Sequence, residues 1–469
     1  MILSNRTKIV CTIGPASQDK ATLRRMIMGG MDVARLNFSH GTYEDFEIII
    51  KNIRAVSKEL KVPVAIMQDL QGPKIRVGKM PEGGIFLTKG QEVKLTPKRK
   101  TGSKNIIPIL YEKLVSDVKP NGRILLKDGM IELTVLKIEK GEIHARVNNE
   151  GTITSHVGIN VPTSSIKANV ITPKDIKDLA FGLKHKVDFV ALSFVKKAKD
   201  IRDLRAIIKK KKGNAKIVAK IERHEAIRNL ENIVEESDVI MVARGDLGVE
   251  LYPHQVPILQ KKIIREANRQ GKPVITATEM LQSMLNNPRA TRAEVSDASN
   301  AIFDHSDALM LSNETAVGKY PVRAVRTLNR VATATEKELQ KSEIFIPNIS
   351  TDGPLPPAEA LCASAAKLAI DTKAKAIVSL TNSGFTAREI AKHRVYIPHI
   401  VITPKKRTQR EMQILWGVNK TFVQKIDTGN IIDHIRTLLK KHRIGKKGDR
   451  AVIIQNASTH QKSVILIIL

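Results

Sequence analysis

Val239-Ile240-Met241-Val242-Ala243-Arg244-Gly245-Asp246 is a run of five apolar residues that stops at a cation, a glycine and an acid. A short run without alternation reads as a strand buried on both faces, as in parallel sheets. Seven further runs share its form: Ile9 to Ile13, Asp32 to Phe38, Val64 to Leu70, Phe189 to Phe194, Ile217 to Glu222, Val274 to Met280 and Ala308 to Glu314. Between most of them lie helix-length amphipathic segments such as Ala21 to Met28, Ile201 to Lys210, Val256 to Arg269 and Arg292 to Ile302. Strands alternating with helices imply parallel strands joined by crossover helices. Eight such units predict an α/β chain built on a closed (β/α)8 TIM barrel, with its chemistry at the C-terminal ends of the strands. A doubly wound open sheet is the alternative.

From Gln71 to Val187 the rhythm changes to alternating residues and tight turns, as in Glu92 to Leu95, Arg123 to Lys127, Glu132 to Lys137 and Glu142 to Val147. Asp128-Gly129 and Lys140-Gly141 supply the turn chemistry. The interval predicts a small β-barrel lid domain, residues 73–168, inserted after the third strand. The barrel would then be made of residues 1–72 and 169–345. After Asp352-Gly353-Pro354-Leu355-Pro356-Pro357 come an Ala-rich helix (Pro357 to Thr372) and strands at Ala376 to Leu380, Ile400 to Thr403, Ala451 to Gln455 and Val464 to Leu469. Residues 346–469 therefore read as a C-terminal α/β domain. The 469 residues match this three-part division at roughly 150 residues per domain, and 42% apolar residues suffice for a sizeable core.

The function classes narrow next. No apolar run approaches the ~20 residues of a membrane span, the N-terminal residues lack a signal-peptide core, and two cysteines cannot form a disulfide scaffold. A cytoplasmic location is expected. Lys plus Arg number 78 against 47 Asp plus Glu, a net charge of +31. Such a field attracts nucleic acid or anionic small molecules. The basic runs are scattered (Pro97 to Lys100, Lys209 to Lys212, Pro404 to Arg407, Lys440 to Lys447) and aromatics make up only 3%. That leaves few stacking platforms, so dedicated nucleic-acid binding is not expected.

Polar residues gather where the strands end. Arg35, Asn37 and Ser39 alternate onto one face, as do Lys220 with Glu222 and Arg244 with Asp246. The third strand ends at Asp69, the fourth passes Ser193, the seventh carries Thr276 and Thr278, and the eighth ends in Ser312 and Glu314. A single Lys-x-Glu pair is commonly an ordinary salt bridge, and a lone Asp a cap. Their convergence on one barrel mouth is what points to function. Glu222 and Asp246 match the one or two protein carboxylates that Mg²⁺ accepts. Lys220 and Arg35 beside them suit a phosphorylated anion. Gly245 allows close backbone approach, and the turn from Arg244 to Gly248 can open a short helix whose N–H groups hold a carboxylate.

These same residues carry a resemblance. Lys8-Ile9-Val10-Cys11-Thr12-Ile13-Gly14-Pro15, Arg35-Leu36-Asn37-Phe38-Ser39-His40-Gly41, Lys220-Ile221-Glu222, Met241 to Glu250 and Pro288-Arg289-Ala290-Thr291-Arg292-Ala293-Glu294 resemble the pyruvate kinase family, in order from about Thr7 onward. The resemblance implies phosphoryl transfer from phosphoenolpyruvate to ADP, giving pyruvate and ATP. It implies Mg²⁺ (Mn²⁺ as the alternative) on Glu222 and Asp246, with Lys220, Arg35 and Thr278 catalytic. Phosphoenolpyruvate would meet Arg35, Lys220, Gly245, Asp246 and Thr278. Asn37, Phe38, Ser39, His40, Arg76 and Lys174 would meet the nucleotide, and a homotetramer is implied.

The chain also departs from the family pattern. In Asp69-Leu70-Gln71-Gly72-Pro73-Lys74-Ile75-Arg76, Lys74 stands where K⁺-requiring members have Glu. Such members hold K⁺ with the residues matching Asn37, Ser39, Asp69 and the Leu70 carbonyl. The resemblance therefore implies K⁺ independence, with the Lys74 ammonium in the ion's place. Glu279 and Asn313 replace a Gln and a Gly. Thr381-Asn382-Ser383-Gly384-Phe385-Thr386 is a candidate effector-phosphate site formed by Thr381, Asn382, Ser383, Gly384 and Thr386; an ordinary capped helix start is the bland reading. The closing loop is shortened to Ala457-Ser458-Thr459-His460-Gln461-Lys462.

Overall fold

A computed structural model describes residues 5–162, 164, 166–341, 355–425, 430–455 and 463–469. The shortened loop at 457–462 and the first half of the Pro-rich joint, 352–354, lie outside them. Eight parallel strands close into a barrel: Lys8–Thr12, Val33–Asn37, Ala65–Asp69, Phe189–Leu192, Lys216–Ile221, Val239–Ala243, Val274–Ala277 and Ala308–Leu311. Each pairs with its neighbours in sequence, and the first closes on the eighth with Lys8 opposite Ala308. Side chains alternate as the pleat requires. Ile9, Cys11, Leu36, Ile66 and Val190 point out to the helices, whereas Val10, Val33, Met67, Phe189 and Met241 fill the lumen.

The lumen's packing continues past the N-terminal strand ends into Ala387, Ala391, Val401, Met412, Ile414, Leu415 and Val418. The C-terminal sheet thus caps the barrel floor. Its strand order is Val418–Val423, His399–Thr403, Ala376–Leu380, Arg450–Gln455, Ser463–Ile468, all parallel except the last. With the floor sealed, the opposite end is the one open to ligands.

At that open end, after Ala65–Asp69, the insertion forms a six-stranded sheet in the order Ile159–Asn160, Arg123–Leu126, Ile131–Glu139, Glu142–Val147, Glu92–Thr96, Ile106–Pro108. A ribbon of Ile85–Leu87 with Gly151–Ile153 shares its core. Lys140 and Gly141 both take positive φ in the two-residue hairpin, as the sequence predicts.

One expectation is corrected. The sixth strand ends at Ala243, and Arg244–Glu250 is already helical, so Arg244 and Asp246 do not share a strand face. Arg244 turns away to Asp297, 2.7 Å, and donates to the Thr278 carbonyl. The edge strand Val418–Val423 is not foreseen by the sequence reading.

Candidate active site

At the mouth, Arg35 lies two residues before the end of the second strand at Asn37, and Asp69 ends the third strand opposite Asn37. The Arg35 guanidinium reaches Asp69 Oδ2 at 2.7 and 2.8 Å and donates to Thr12 Oγ1 at 2.8 Å. From the fifth strand, Lys220 Nζ lies 2.8 Å from Glu222 Oε1 and 3.4 Å from Asp69 Oδ1, and donates to Ser193 Oγ at 2.7 Å. The Ser193 hydroxyl in turn donates to the Leu70 carbonyl, 2.9 Å. Asp69 and Glu222 are each only 1% exposed. Burial would discharge Lys220, but the carboxylates of Asp69, Glu222 and Asp246 outweigh it and raise its pKa above the ordinary lysine value. Burial likewise opposes the charge on Asp69, and Lys220 with Arg35 overcome it, so its pKa is lowered. Glu222 moves the other way, up to about 7: desolvation, with help from Asp246, exceeds the attraction of Lys220.

Two strained turns complete the rim. Phe194, at φ 58°, aims its N–H at Glu222 Oε2, 2.7 Å. Thr278, β-branched yet at φ 70°, accepts the Gly245 N–H on its hydroxyl at 2.7 Å. A β-branched residue in that region is a steric outlier of the kind that clusters at functional sites. Gly245 is the second residue of the helix that Arg244 opens. A Cβ there would meet only the Thr278 side chain, at 3.5 Å, so the space above it is open.

Beside this centre, Lys174 Nζ donates to the Phe38 carbonyl (2.8 Å) and pairs with Asp178 (2.6 Å), which brings it to the segment carrying Asn37, Ser39 and His40. Asn37 Oδ1 accepts the Ser39 N–H, and His40 is exposed. Arg76 sits at the lid entrance, donating to the His156 carbonyl at 2.9 Å. Lys74 is exposed and lines a cleft between lid and barrel that Asp128, Asn160, Phe194, Arg223 and Asp246 share. Its chain passes Gly158, where a Cβ would come within 3.2 Å of Lys74 Cε. Glu314 is spent on the N–H groups of Leu281 and Ser312 and holds the rim together.

The carboxylates suit a divalent metal. Glu222 is buried and raised toward neutrality, with a second acid close enough to contribute to that shift. A divalent cation held by Glu222 and Asp246 would supply positive charge that favours the ionised form of Glu222.

In the C-terminal domain, Gly384 (φ 81°) leads into helix Phe385–Lys392, and its N–H donates to Thr381 Oγ1, 2.9 Å. Thr381 and Thr386 are buried, and the Asn382 carbonyl accepts from Thr408. The sequence reading singles out Ser193 without giving it a role and does not single out Thr12. Ser193 carried a visible signal as the hydroxyl on the fourth run; the positive φ of Phe194 has none.

Two family models match this chain, the pyruvate kinase barrel domain over residues 4–325 and the pyruvate kinase alpha/beta domain over residues 359–467. The chain belongs to the pyruvate kinase family. It is 42% identical over 466 residues to the pyruvate kinase of Staphylococcus epidermidis, covering 97% of this chain and 78% of that one. Pyruvate kinase 2 of a Synechocystis strain is 42% identical over 470 residues, with 98% and 77% covered. The crystal structure of a pyruvate kinase from Cryptosporidium parvum superposes with a TM-score of 0.93 at 37% identity, covering 98% of this chain and 96% of the other. As a pyruvate kinase family member, this chain is a phosphotransferase. No described helix is long and apolar enough to cross a membrane.

Proposed function

We propose that this chain transfers the phosphoryl group of phosphoenolpyruvate to ADP, with Mg²⁺ held by Glu222 and Asp246, giving pyruvate and ATP in the last step of glycolysis. The observation that carries the reading is the clasp of Asp69, Glu222 and Ser193 around Lys220, with Arg35 on the far side of Asp69. Phosphoryl transfer needs alignment and fixed positive charge more than covalent help. Arg35 grips the phosphate, and Lys220 neutralises the group in flight. Gly245, Asp246 and Thr278 form the ledge that binds the substrate carboxylate and borders its methylene carbon. The metal, when bound, supplies Lewis-acid charge that polarises phosphoryl oxygens. Asn37, Phe38, Ser39, His40, Arg76 and Lys174 serve the nucleotide phosphates, and the lid excludes water. In this reading the barrel comprises 1–72 and 169–345, the lid 73–168 and the C-terminal domain 346–469. The protein works as a cytoplasmic homotetramer, and Thr381 to Thr386 is the candidate effector-phosphate loop.

K⁺ independence belongs to the same proposal. Lys74 brings a permanent cation to the cleft that contains Asp246, where K⁺-requiring relatives carry an acid. A coupled assay with phosphoenolpyruvate and ADP tests both parts. Turnover is expected with Mg²⁺ and not without a divalent ion, and it is expected to change less than twofold when K⁺ replaces tetramethylammonium. Tenfold activation by K⁺ would overturn the role of Lys74. Absence of ATP formation under all conditions would overturn the reaction.

A further inference from the structure

Strand Lys216–Ile221 delivers Glu222 to the mouth, and the chain then turns at Arg223 into the short helix His224–Arg228. In the next unit, helix Arg244–Glu250 carries Asp246 near its start and ends at Glu250. The two units bring His224, Glu225 and Glu250 together. One ligand atom from each lies within 4.8 Å of the others, the one such trio among the described residues. His224 Nδ1 stands 3.3 Å from Glu225 Oε2 and 3.6 Å from Glu250 Oε2. The Glu250 side chain is only 1% exposed, yet its Oε2 receives no hydrogen bond, and His224 Nδ1 makes none.

A buried carboxylate oxygen without a donor is costly and calls for a partner. Arg223 meets part of that need. It donates to Glu225 at 2.9 and 3.2 Å and reaches Glu250 Oε1 at 3.4 Å, which leaves Glu250 Oε2 unserved. Two carboxylates against one guanidinium leave a net negative charge beside a neutral imidazole. Each carboxylate oxygen has two lone pairs, so Glu225 can keep Arg223 and still offer one toward His224. Zn²⁺ binds imidazole nitrogen and carboxylate oxygen at ~2.0–2.2 Å with tetrahedral angles, which sets neighbouring ligand atoms roughly 3.3–3.6 Å apart. The two separations from His224 Nδ1 match. An imidazole beside two carboxylates also suits Zn²⁺ or Co²⁺ better than Mg²⁺, which takes oxygen ligands in octahedral geometry. Arg223 would then orient the ligating acids from outside the coordination sphere. His224 and Glu225 keep 17% and 13% of their side-chain surface, so an ion has a way in and a water can complete the tetrahedron.

We propose that His224 Nδ1, Glu225 and Glu250 bind a zinc-class divalent ion at a site distinct from the carboxylates of Glu222 and Asp246. The site borders the lid. Asn160, on the lid's last strand, lies 3.5 Å from Glu250 Oε1, and the Ser164 carbonyl accepts from Arg223 at 3.2 Å. An ion there would fix the side chains that the returning lid segment meets. Equilibrium dialysis of the full chain against zinc chloride in excess Mg²⁺, with bound zinc counted by mass spectrometry, tests it. The comparisons are His224→Ala, Glu250→Gln and Glu222→Gln. The wild type is expected to keep one zinc per chain that Mg²⁺ does not displace. His224→Ala and Glu250→Gln should each weaken it at least tenfold, and Glu222→Gln should leave it within threefold. His224 is partly exposed, so its truncation opens no sealed cavity and the fold should persist even if Glu250→Gln disturbs it. Co²⁺ in place of zinc should give the intense visible absorption of a four-coordinate ion, and His224→Ala should abolish it.

Equal zinc in wild type and His224→Ala would overturn the proposal. Absence of zinc from the wild type would overturn it in favour of a protonated His224 paired with the two acids. Loss of zinc in Glu222→Gln with retention in His224→Ala would assign the ion to the catalytic carboxylates instead. Loss in both would overturn the independence of the two sites. A weak, octahedral Co²⁺ spectrum that His224→Ala leaves unchanged would also count against it.

Discussion

Lys220 is held by three groups at once: two carboxylates set its charge and a hydroxyl sets its direction. Asp69 and Glu222 keep it protonated despite burial, and the Ser193 hydroxyl fixes its direction. An ammonium so fixed needs no reorganisation when negative charge develops on a transferring phosphoryl group. Lys220→Met removes that charge but leaves Arg35 on Asp69 and the Gly245–Thr278 ledge in place. Glu222, already raised toward neutrality, can take up a proton, so the fold should survive. Turnover is expected to fall by at least three orders of magnitude, about 4 kcal/mol of transition-state stabilisation. Phosphoenolpyruvate affinity should change less than tenfold. Steady-state kinetics with equilibrium binding separate the two, and a variant keeping a tenth of wild-type turnover would remove Lys220 from the chemistry.

Short elements set the site's shape, and they were legible to different degrees. The barrel strands are readable because they are short apolar runs of four to six residues that recur between helix-length segments. Lys220 and Glu222 are readable for the same reason: polar residues that follow such a run must lie at its mouth. Val418–Val423 was missed because Asn419, Lys420 and Thr421 make it look like loop, and as an edge strand it can carry polar side chains. The positive φ of Phe194 and Thr278 is a tertiary outcome, imposed by Glu222 and Gly245 across the rim. In helix Arg244–Glu250 the proposed ligand role runs against the helix's own stability. Glycine near its start weakens it, and a Cβ at Gly245 would make only ordinary contact with Thr278. Gly245→Ala should therefore leave thermal unfolding unchanged or raise stability by about 0.5 kcal/mol. It should raise KM for phosphoenolpyruvate at least tenfold by occupying the ledge. A destabilised variant with normal KM would mean that the glycine serves packing alone.

Across the whole molecule, the C-terminal domain is fastened to the barrel floor by buried charge as well as by apolar packing. Asp307 takes Arg394 (2.9 Å) and the Trp416 N–H, Asp188 takes Arg410 (2.7 Å), and Lys8 Nζ donates to the Val418 carbonyl (2.7 Å). His399 lies in this junction, 3% exposed, with its Nε2 2.7 Å from Ser379 Oγ. Burial first, and then the charge of Lys8, lower its pKa from the ordinary 6.5 to about 3. The folded imidazole thus stays neutral while the unfolded chain takes up a proton below pH 6.5. More protons on the unfolded state mean that stability falls as pH falls, by up to about 1.4 kcal/mol per pH unit for this one group. The loss should begin near pH 6.5 and stop near pH 3, where the folded ring protonates too. His399→Gln keeps a partner for Ser379 without a titrating ring. The unfolding free energy of the wild type, measured against this variant in urea at several pH values, should lose ground to it steadily from pH 6.5 to 4. Parallel pH profiles for the two proteins would show that the junction is indifferent to this histidine's proton.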